Sequence, residues 1–197
     1  MSPAHVLEPT YRRLKRALME GTWPDGAKLE AMRLADDFGV SMTPVRDSLN
    51  QLVGEGLVDL TPGEGFRVPV LTEQALRDVL EVNAVLLEAA ISDSWSLPDE
   101  YDTAGGPNGY AHRLAGSFSA LARGSGNRLF VDAIDWISER LHAVRSREPQ
   151  VLPDSRHLLE RIEASLHGSR NERRNALNHY HAQCQNQVSR LVNRLPG

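Results

Sequence analysis

An internal disulfide is excluded at once, because the 197 residues include a single cysteine, Cys184. One thiol fits a reducing compartment. Apolar residues make up 41% of the chain, yet no run approaches the ~18 consecutive residues that a membrane-spanning helix needs. The opening "MSPAHVLEPTYRRLKR" has neither the apolar core nor the small-residue cleavage site of a secretory signal. The expectation is a cytoplasmic protein with no membrane partner. Positive charge is also short: 22 Lys/Arg stand against 26 Asp/Glu, a net −4. A nucleic-acid-binding surface would have to be a local basic patch on an acidic molecule. Internal repeats and low-complexity tracts are absent. So are the marks of catalysis: there is no nucleophile elbow, phosphate-binding glycine loop, zinc-protease motif or CxxC pair. Cys184 lies in "HAQCQNQ" with only His181 near it, which suits packing. The chain is not expected to be an enzyme.

What is present is helical periodicity. Tyr11, Leu14 and Leu18 recur at helical spacing between His5 and Glu20, and Arg12, Arg13, Lys15 and Arg16 cover polar surface. "GTWPDGAKL" is a turn segment ending in a short extended piece at Leu29. A helix over about 32–38 turns Leu34, Ala35 and Phe38 inward and stops at Gly39, a residue suited to a helix C-terminus. A third helix starts after Ser41 to Thr43 and runs to about Val53. "GLVDL" and "GFRVPV" follow as strands around the tight "TPGEG" connection. Beyond Leu71 strand signals vanish, and helical segments are expected over about 72–95, 108–123, 127–147, 153–167 and 170–194, with "SLPDEYDTAGGPNG" as a loop. The domain boundary therefore falls near Val70 and Leu71. Residues 1–70 form a winged helix-turn-helix with a small β-hairpin wing, and residues 71–197 an all-α helical bundle. The fold class is mostly α.

The stretch "VSMTPVRDSLNQLVGEGLVDLTPGEGFRV", residues 40–68, carries the chemistry. Val45, Leu49, Leu52 and Val53 recur at i, i+4, i+7 and i+8, so one face of this helix is buried. Thr43, Arg46, Asp47 and Asn50 occupy another face. Pro44 suits the first helical turn, where its missing N–H costs nothing. Ser41 and Thr43 are natural caps at the positive end of the helix dipole, and such an end is ready to receive a phosphate. The plainer alternative is a capped surface helix whose Arg46 pairs with a carboxylate. The neighbouring elements favour the first reading, since in a winged helix-turn-helix the second helix of the pair enters the major groove.

Through "YRRLKRALMEGTWPDGAKL", "RLADDFGVSMTPVRDSLNQLVGEGLV" and "PGEGFRV", residues 10–70 resemble the GntR family of bacterial transcription regulators. The resemblance implies a winged helix that binds a near-palindromic operator in double-stranded DNA as a homodimer. It implies that Arg46 contacts a guanine edge or phosphate, that Ser41 and Thr43 contact phosphate, and that Gly63, Glu64 and Gly65 form a wing tip in the minor groove. Arg33, Met42, Pro44 and Asn50 complete the expected DNA-facing set. Three departures stand out: Met42 replaces the usual arginine between the Ser and the Thr, the place of a second arginine expected early in the preceding helix is held by Met32 with Arg33 beside it, and the wing tip carries Glu64 where a basic or neutral residue is common. Residues 1–70 hold eight Lys/Arg against ten Asp/Glu, a formal −2. These features keep an alternative open, a winged-helix interaction protein with weakened or lost DNA reading and no effector.

The helical remainder resembles the effector domain of the FadR-like subgroup of that family, through "LTEQALRDVLEVNAVLLEAAI", "LARGSGNRLF" and a histidine-rich last helix. That likeness implies a small carboxylate or acyl effector. Asn83 stands on the apolar stripe of Leu76, Val79, Leu80, Leu87, Ala90 and Ile91, at a position often held by a ligand-meeting arginine. It is a candidate pocket residue, or a core asparagine with backbone partners. Many members of the subgroup hold a metal with an aspartate and three histidines. Here Phe118 or Ser119 occupies the histidine position with no aspartate four residues earlier. His157 stands where the third ligand could be, and His179 and His181 bracket the fourth, which aligns with Tyr180. His157, His179 and His181 join Asn83 as effector-site candidates, while a divalent metal, and any other cofactor, is not expected. Asn108 and His112, one turn apart, are a weaker substitute pair.

Overall fold

The computed structural model describes residues 3–92, 95–98 and 109–193, with side chains from residue 7 onward. The fold is mostly α, a winged helix-turn-helix followed by an all-helical unit, and the chain divides into compact units of residues 1–71 and 72–194.

The N-terminal unit comprises α1 (Pro3–Met19), β1 (Lys28–Leu29), α2 (Ala31–Phe38), α3 (Met42–Gly54), β2 (Asp59–Thr61) and β3 (Gly65–Arg67). The three short strands form an antiparallel sheet in the order β1-β3-β2, with Phe66 opposite both Leu29 and Leu60. Leu14, Leu34, Val45, Leu49, Leu52 and Val58 build the core from α1, α2, α3 and the approach to β2. Complete burial of each such side chain is worth roughly 1.5–3 kcal/mol. Phe38, expected to point inward, is only half-buried; its ring carries the Arg13 guanidinium, whose Cζ lies 4.0 Å from the ring centroid. Gly39 ends α2 at φ 67°, ψ 33°, a left-handed geometry that glycine adopts without penalty. The N–H of Val40 then closes the helix end on Ala35 O.

The C-terminal unit contains α4 (Glu73–Ala90), α5 (Tyr110–Arg123), α6 (Arg128–Arg140), α7 (His142–Arg145), α8 (Glu148–Val151), α9 (Ser155–Ser165), α10 (Arg170–Asn186) and α11 (Val188–Val192). α4 packs on α6 and α10, and α5 on α6 and α9. Two expected helices are broken. The segment over 127–147 divides at Leu141 (φ −88°, ψ 0°), whose side chain is drawn into the core, and the last segment divides at Gln187 (φ −115°). The expected loop over 96–109 falls largely outside the described residues, and so does Asn108; His112 is exposed. Among the described residues, no helix is long and apolar enough to cross a membrane.

Candidate nucleic-acid interface

Amphipathic spacing puts Val45, Ser48, Leu49 and Leu52 of α3 into the core and leaves Thr43, Arg46, Asp47 and Asn50 exposed. Ser48 buries its hydroxyl by donating to Pro44 O at 2.7 Å, a bond back along the same helix. Only Gly39, Val40 and Ser41 separate α2 from α3, which makes the pair a helix-turn-helix. Arg33 stands exposed on α2, beside a cavity of about 350 Å³ lined by Trp23, Lys28, Glu30 and Asp37 among others. Met32 and Met42 project into solvent at 66% and 43% exposure.

The expected capping is corrected. Ser41 has the extended N-cap backbone (φ −74°, ψ 163°), but its side chain makes no cap bond, and Thr43 lies one residue inside the helix. In the second unit α4, α6 and α10 are capped, Thr72, Asn127 and Ser169 each accepting a first-turn N–H with their side chains, whereas α5, α7, α8, α9 and α11 have no side-chain cap bond. The amides at the start of α3 are therefore left to another acceptor, beside the exposed Arg46. Unsatisfied N–H groups and the helix dipole together attract an anion.

The wing is built by its turn. Glu64 N–H donates to Thr61 O at 3.0 Å across Pro62 and Gly63, with Gly63 at φ 81°; proline then glycine is the pattern of a type II turn. Gly65 follows at φ 87° and pairs with Thr61. Sequence reasoning passed over Arg67, although the i, i+3 spacing from Glu64 pointed to it. Its Nε lies 3.2 Å from Glu64 Oε2, and its Nη1 donates to Gly26 O at 3.1 Å. The acid at the wing tip thus neutralises the wing's own base.

The basic residues of α1 are also partly spent within the unit. Lys15 Nζ lies 3.0 Å from Glu55 Oε2, and Tyr11 Oη donates to Glu55 Oε1 at 2.6 Å, tying α1 to the end of α3. Burial, aided by that hydrogen bond, pushes the Tyr11 pKa up. Arg12 pairs with Glu8 at 2.6 Å. Arg33 and Arg46 remain exposed, with no ion pair or hydrogen bond among the described residues.

In the helical unit only half of the expected effector set comes together. Asn83 and His181 are buried in one interior group, whereas His157 and His179 lie on exposed faces of α9 and α10. His157 and His179, named as effector-site candidates, stand apart from that group: the helical phase that buries Leu158 and Tyr180 turns them outward. Sequence reasoning missed the centre of the group, Arg145 and Glu148, each 1% exposed. Arg145 donates from Nη1 to Ser138 Oγ at 2.9 Å and from Nη2 to Asn83 Oδ1 at 3.1 Å, and its Cζ lies 4.8 Å from the Phe118 ring centroid. Tyr180 donates to Glu148 Oε1 at 2.8 Å. Burial pushes the Glu148 carboxyl pKa up, against the pull of Arg145. Burial also lowers the His181 pKa to about 4, so the ring is neutral near pH 7. Its Nδ1–H donates to Leu177 O at 2.8 Å. Nε2 is then an acceptor, 3.3 Å from Asn83 Oδ1, another acceptor. With its amide oriented this way, Asn83 serves Arg145 and not His181. Asn83 Nδ2, Arg145 Nε and Glu148 Oε2 are buried without a hydrogen-bond partner. Phe118 packs edge-on against Tyr180, with ring centroids 5.4 Å apart. Among the described residues, no three or more His, Cys, Asp or Glu side chains gather as metal ligands do.

The stretch that forms the helix-turn-helix and wing, residues 8–68, matches the family model described as bacterial regulatory proteins, gntR family. The likeness to the gntR family lies within the N-terminal unit. The chain is 33% identical over 92 residues to the HTH-type transcriptional repressor GlaR of Escherichia coli (strain K12), covering 43% of this chain and 42% of that protein. It is 36% identical over 75 residues to the HTH-type transcriptional regulator McbR of the same organism, covering 38% and 33%. The matched stretch thus spans less than half the length of each of these relatives. Structural likeness runs further. E. coli McbR/YncC superposes with a TM-score of 0.65 at 18% identity, over 94% of this chain and 97% of that one. A GntR transcriptional regulator from Rhodococcus sp. RHA1 gives 0.68 at 18%, over 93% and 97%. At such identity these structures share the fold with this chain, helical unit included; they do not assign its ligand.

Proposed function

We propose that this GntR-type chain is a cytoplasmic transcription regulator that binds a near-palindromic operator as a homodimer. One observation carries the reading: the start of α3 is exposed and uncapped, with Arg46, Thr43 and Asn50 beside it, at the place where a winged helix-turn-helix meets the major groove. A phosphate takes the free amides, Arg46 reads a guanine or clamps the backbone, and Met42 meets a thymine methyl. A small carboxylate or acyl effector belongs in the interior of the helical unit. The buried Arg145 and the unpartnered polar atoms around it support that part, because an anion there would meet a fixed cation in a dry site. Such a ligand acts only through unequal affinity for the DNA-competent and DNA-incompetent states.

The test is fluorescence anisotropy on a duplex selected by the protein from genomic fragments, with a scrambled duplex as control. Arg46→Ala is expected to cost ~1–3 kcal/mol of discrimination, and binding is expected to weaken steeply with salt. The second reading, an interaction protein that no longer reads DNA, draws on the internal pairing of Lys15, Arg12 and Arg67 with acids. Binding with neither salt dependence nor sequence preference would favour it and overturn the first.

A further inference from the structure

Two large apolar side chains stand exposed on the helix-turn-helix itself, Met32 (66%) and Met42 (43%). Each lies in the first turn of its helix, Met32 second in α2 and Met42 first in α3. Neither belongs to a buried stripe: α2 buries Leu34 and Ala35, and α3 buries Val45, Ser48, Leu49 and Leu52. One isolated apolar residue on a surface needs no explanation. Here both accompany an exposed arginine. Arg33 follows Met32 directly, and Arg46 stands four residues after Met42, a spacing that makes neighbours on a helix surface.

Charge at this surface is thin. Asp36, Asp37 and Asp47 stand exposed on the same two helices as Arg33 and Arg46, and Lys28, just before α2, lies 3.6 Å from Glu30. Few cations are left to gain from phosphate, so base selectivity draws more on apolar contact. The major-groove edges of the base pairs carry donors and acceptors and a single kind of apolar group, the C5-methyl of thymine. Guanine offers only the acceptors N7 and O6 there, and a thioether has no N–H or O–H to donate. Its flexible, polarizable chain packs instead against apolar groups of irregular shape.

We infer that Met32 and Met42 read C5-methyl groups, so that the preferred operator carries thymine where these side chains enter the groove. A 5-methylcytosine, with its methyl at the same place, serves where thymine is absent. Arg33 and Arg46 keep the guanine and phosphate contacts. The inference rests on the operator reading above and names the base that two of its contacts select.

The experiment separates the two. The full chain first selects a duplex from genomic fragments. Each thymine of that duplex is then replaced in turn, in both half-sites, by deoxyuridine, which lacks only the C5-methyl. Fluorescence anisotropy compares wild type, Met32→Ala and Met42→Ala, with circular dichroism for helix content; alanine suits both helices. Losing one buried methyl costs roughly 3–5-fold in affinity, hence ~10–20-fold when both half-sites are changed. Wild type is expected to show that loss at one thymine for each methionine. The matching alanine variant is expected to bind the thymine and deoxyuridine duplexes within about twofold of each other. At the same positions, wild type is expected to bind 5-methylcytosine ~10–20-fold more tightly than cytosine. Deoxyuridine tolerated by wild type at every position, or a loss that both variants retain, overturns the methionine reading and leaves the operator reading standing. A loss relieved by one variant only overturns the part assigned to the other residue. Failure to prefer any selected duplex over a scrambled one overturns the operator reading as well.

Discussion

Acidification should expose the neutral histidine at the heart of the helical unit. His181 is 6% exposed, and burial depresses its pKa from 6.5 to about 4; the positive charge of Arg145 pushes the same way, against the hydrogen bond to Leu177. Between those two values the unfolded chain binds a proton that the folded one refuses. The stability tied to the neutral ring is therefore complete above about pH 6.5, falls as the pH drops, and levels off below about pH 4. At ~1.36 kcal/mol per pH unit the full loss reaches about 3 kcal/mol, and roughly 2.5 kcal/mol has gone by about pH 4.5. Glu148 works against this. Its raised pKa means that protonation relieves the cost of burying its charge as the pH falls. A difference between variants isolates the histidine, because Glu148 is common to both. Urea unfolding of the wild type and His181→Phe is measured at pH 7 and at about pH 4.5. The variant is expected to lose about 2–3 kcal/mol less on acidification than the wild type. Equal losses would refute the reasoning, since they would mean that the ring titrates normally in the folded protein.

Two further substitutions probe other parts of the molecule. Glu64→Gln removes the acid that Arg67 faces at the wing tip; affinity for a scrambled duplex in the anisotropy assay is expected to rise ~2–5-fold with a steeper salt slope, on the charge-count argument. An unchanged affinity would take the wing out of the DNA path. Gly124→Ala would drive a Cβ into the Trp95 indole, which is itself held by Nε1 donating to Leu121 O at 2.8 Å and by stacking with Arg173. A loss of about 2 kcal/mol or more is expected in urea unfolding, and a loss below half that would show that the indole moves aside freely.

The elements of the N-terminal unit were legible because their signals are local. Gly39 stops α2 where a left-handed residue is needed, Pro44 sits in the first turn of α3, and Pro62-Gly63 selects the turn that makes the wing. The alternation of buried and exposed positions on α3 could be read from spacing alone, because a helix imposes it whatever surrounds it. Composition likewise forbade an internal disulfide, and acidic balance confined any DNA-binding surface to a patch. Ser41, by contrast, is of a capping type and at a capping position, yet it makes no cap bond. Arg12 and Lys15 look like a basic surface until the fold supplies Glu8 and Glu55.

Interior chemistry was decided by tertiary structure alone. Arg145 meets Asn83 across 62 positions of sequence, and His181 approaches Asn83 across 98. No periodicity predicts such meetings, because a charged side chain is buried only when distant helices bring partners to it. The same holds for the breaks at Leu141 and Gln187. Sequence determined which helices exist and which of their faces are apolar; packing determined which polar groups those faces enclose.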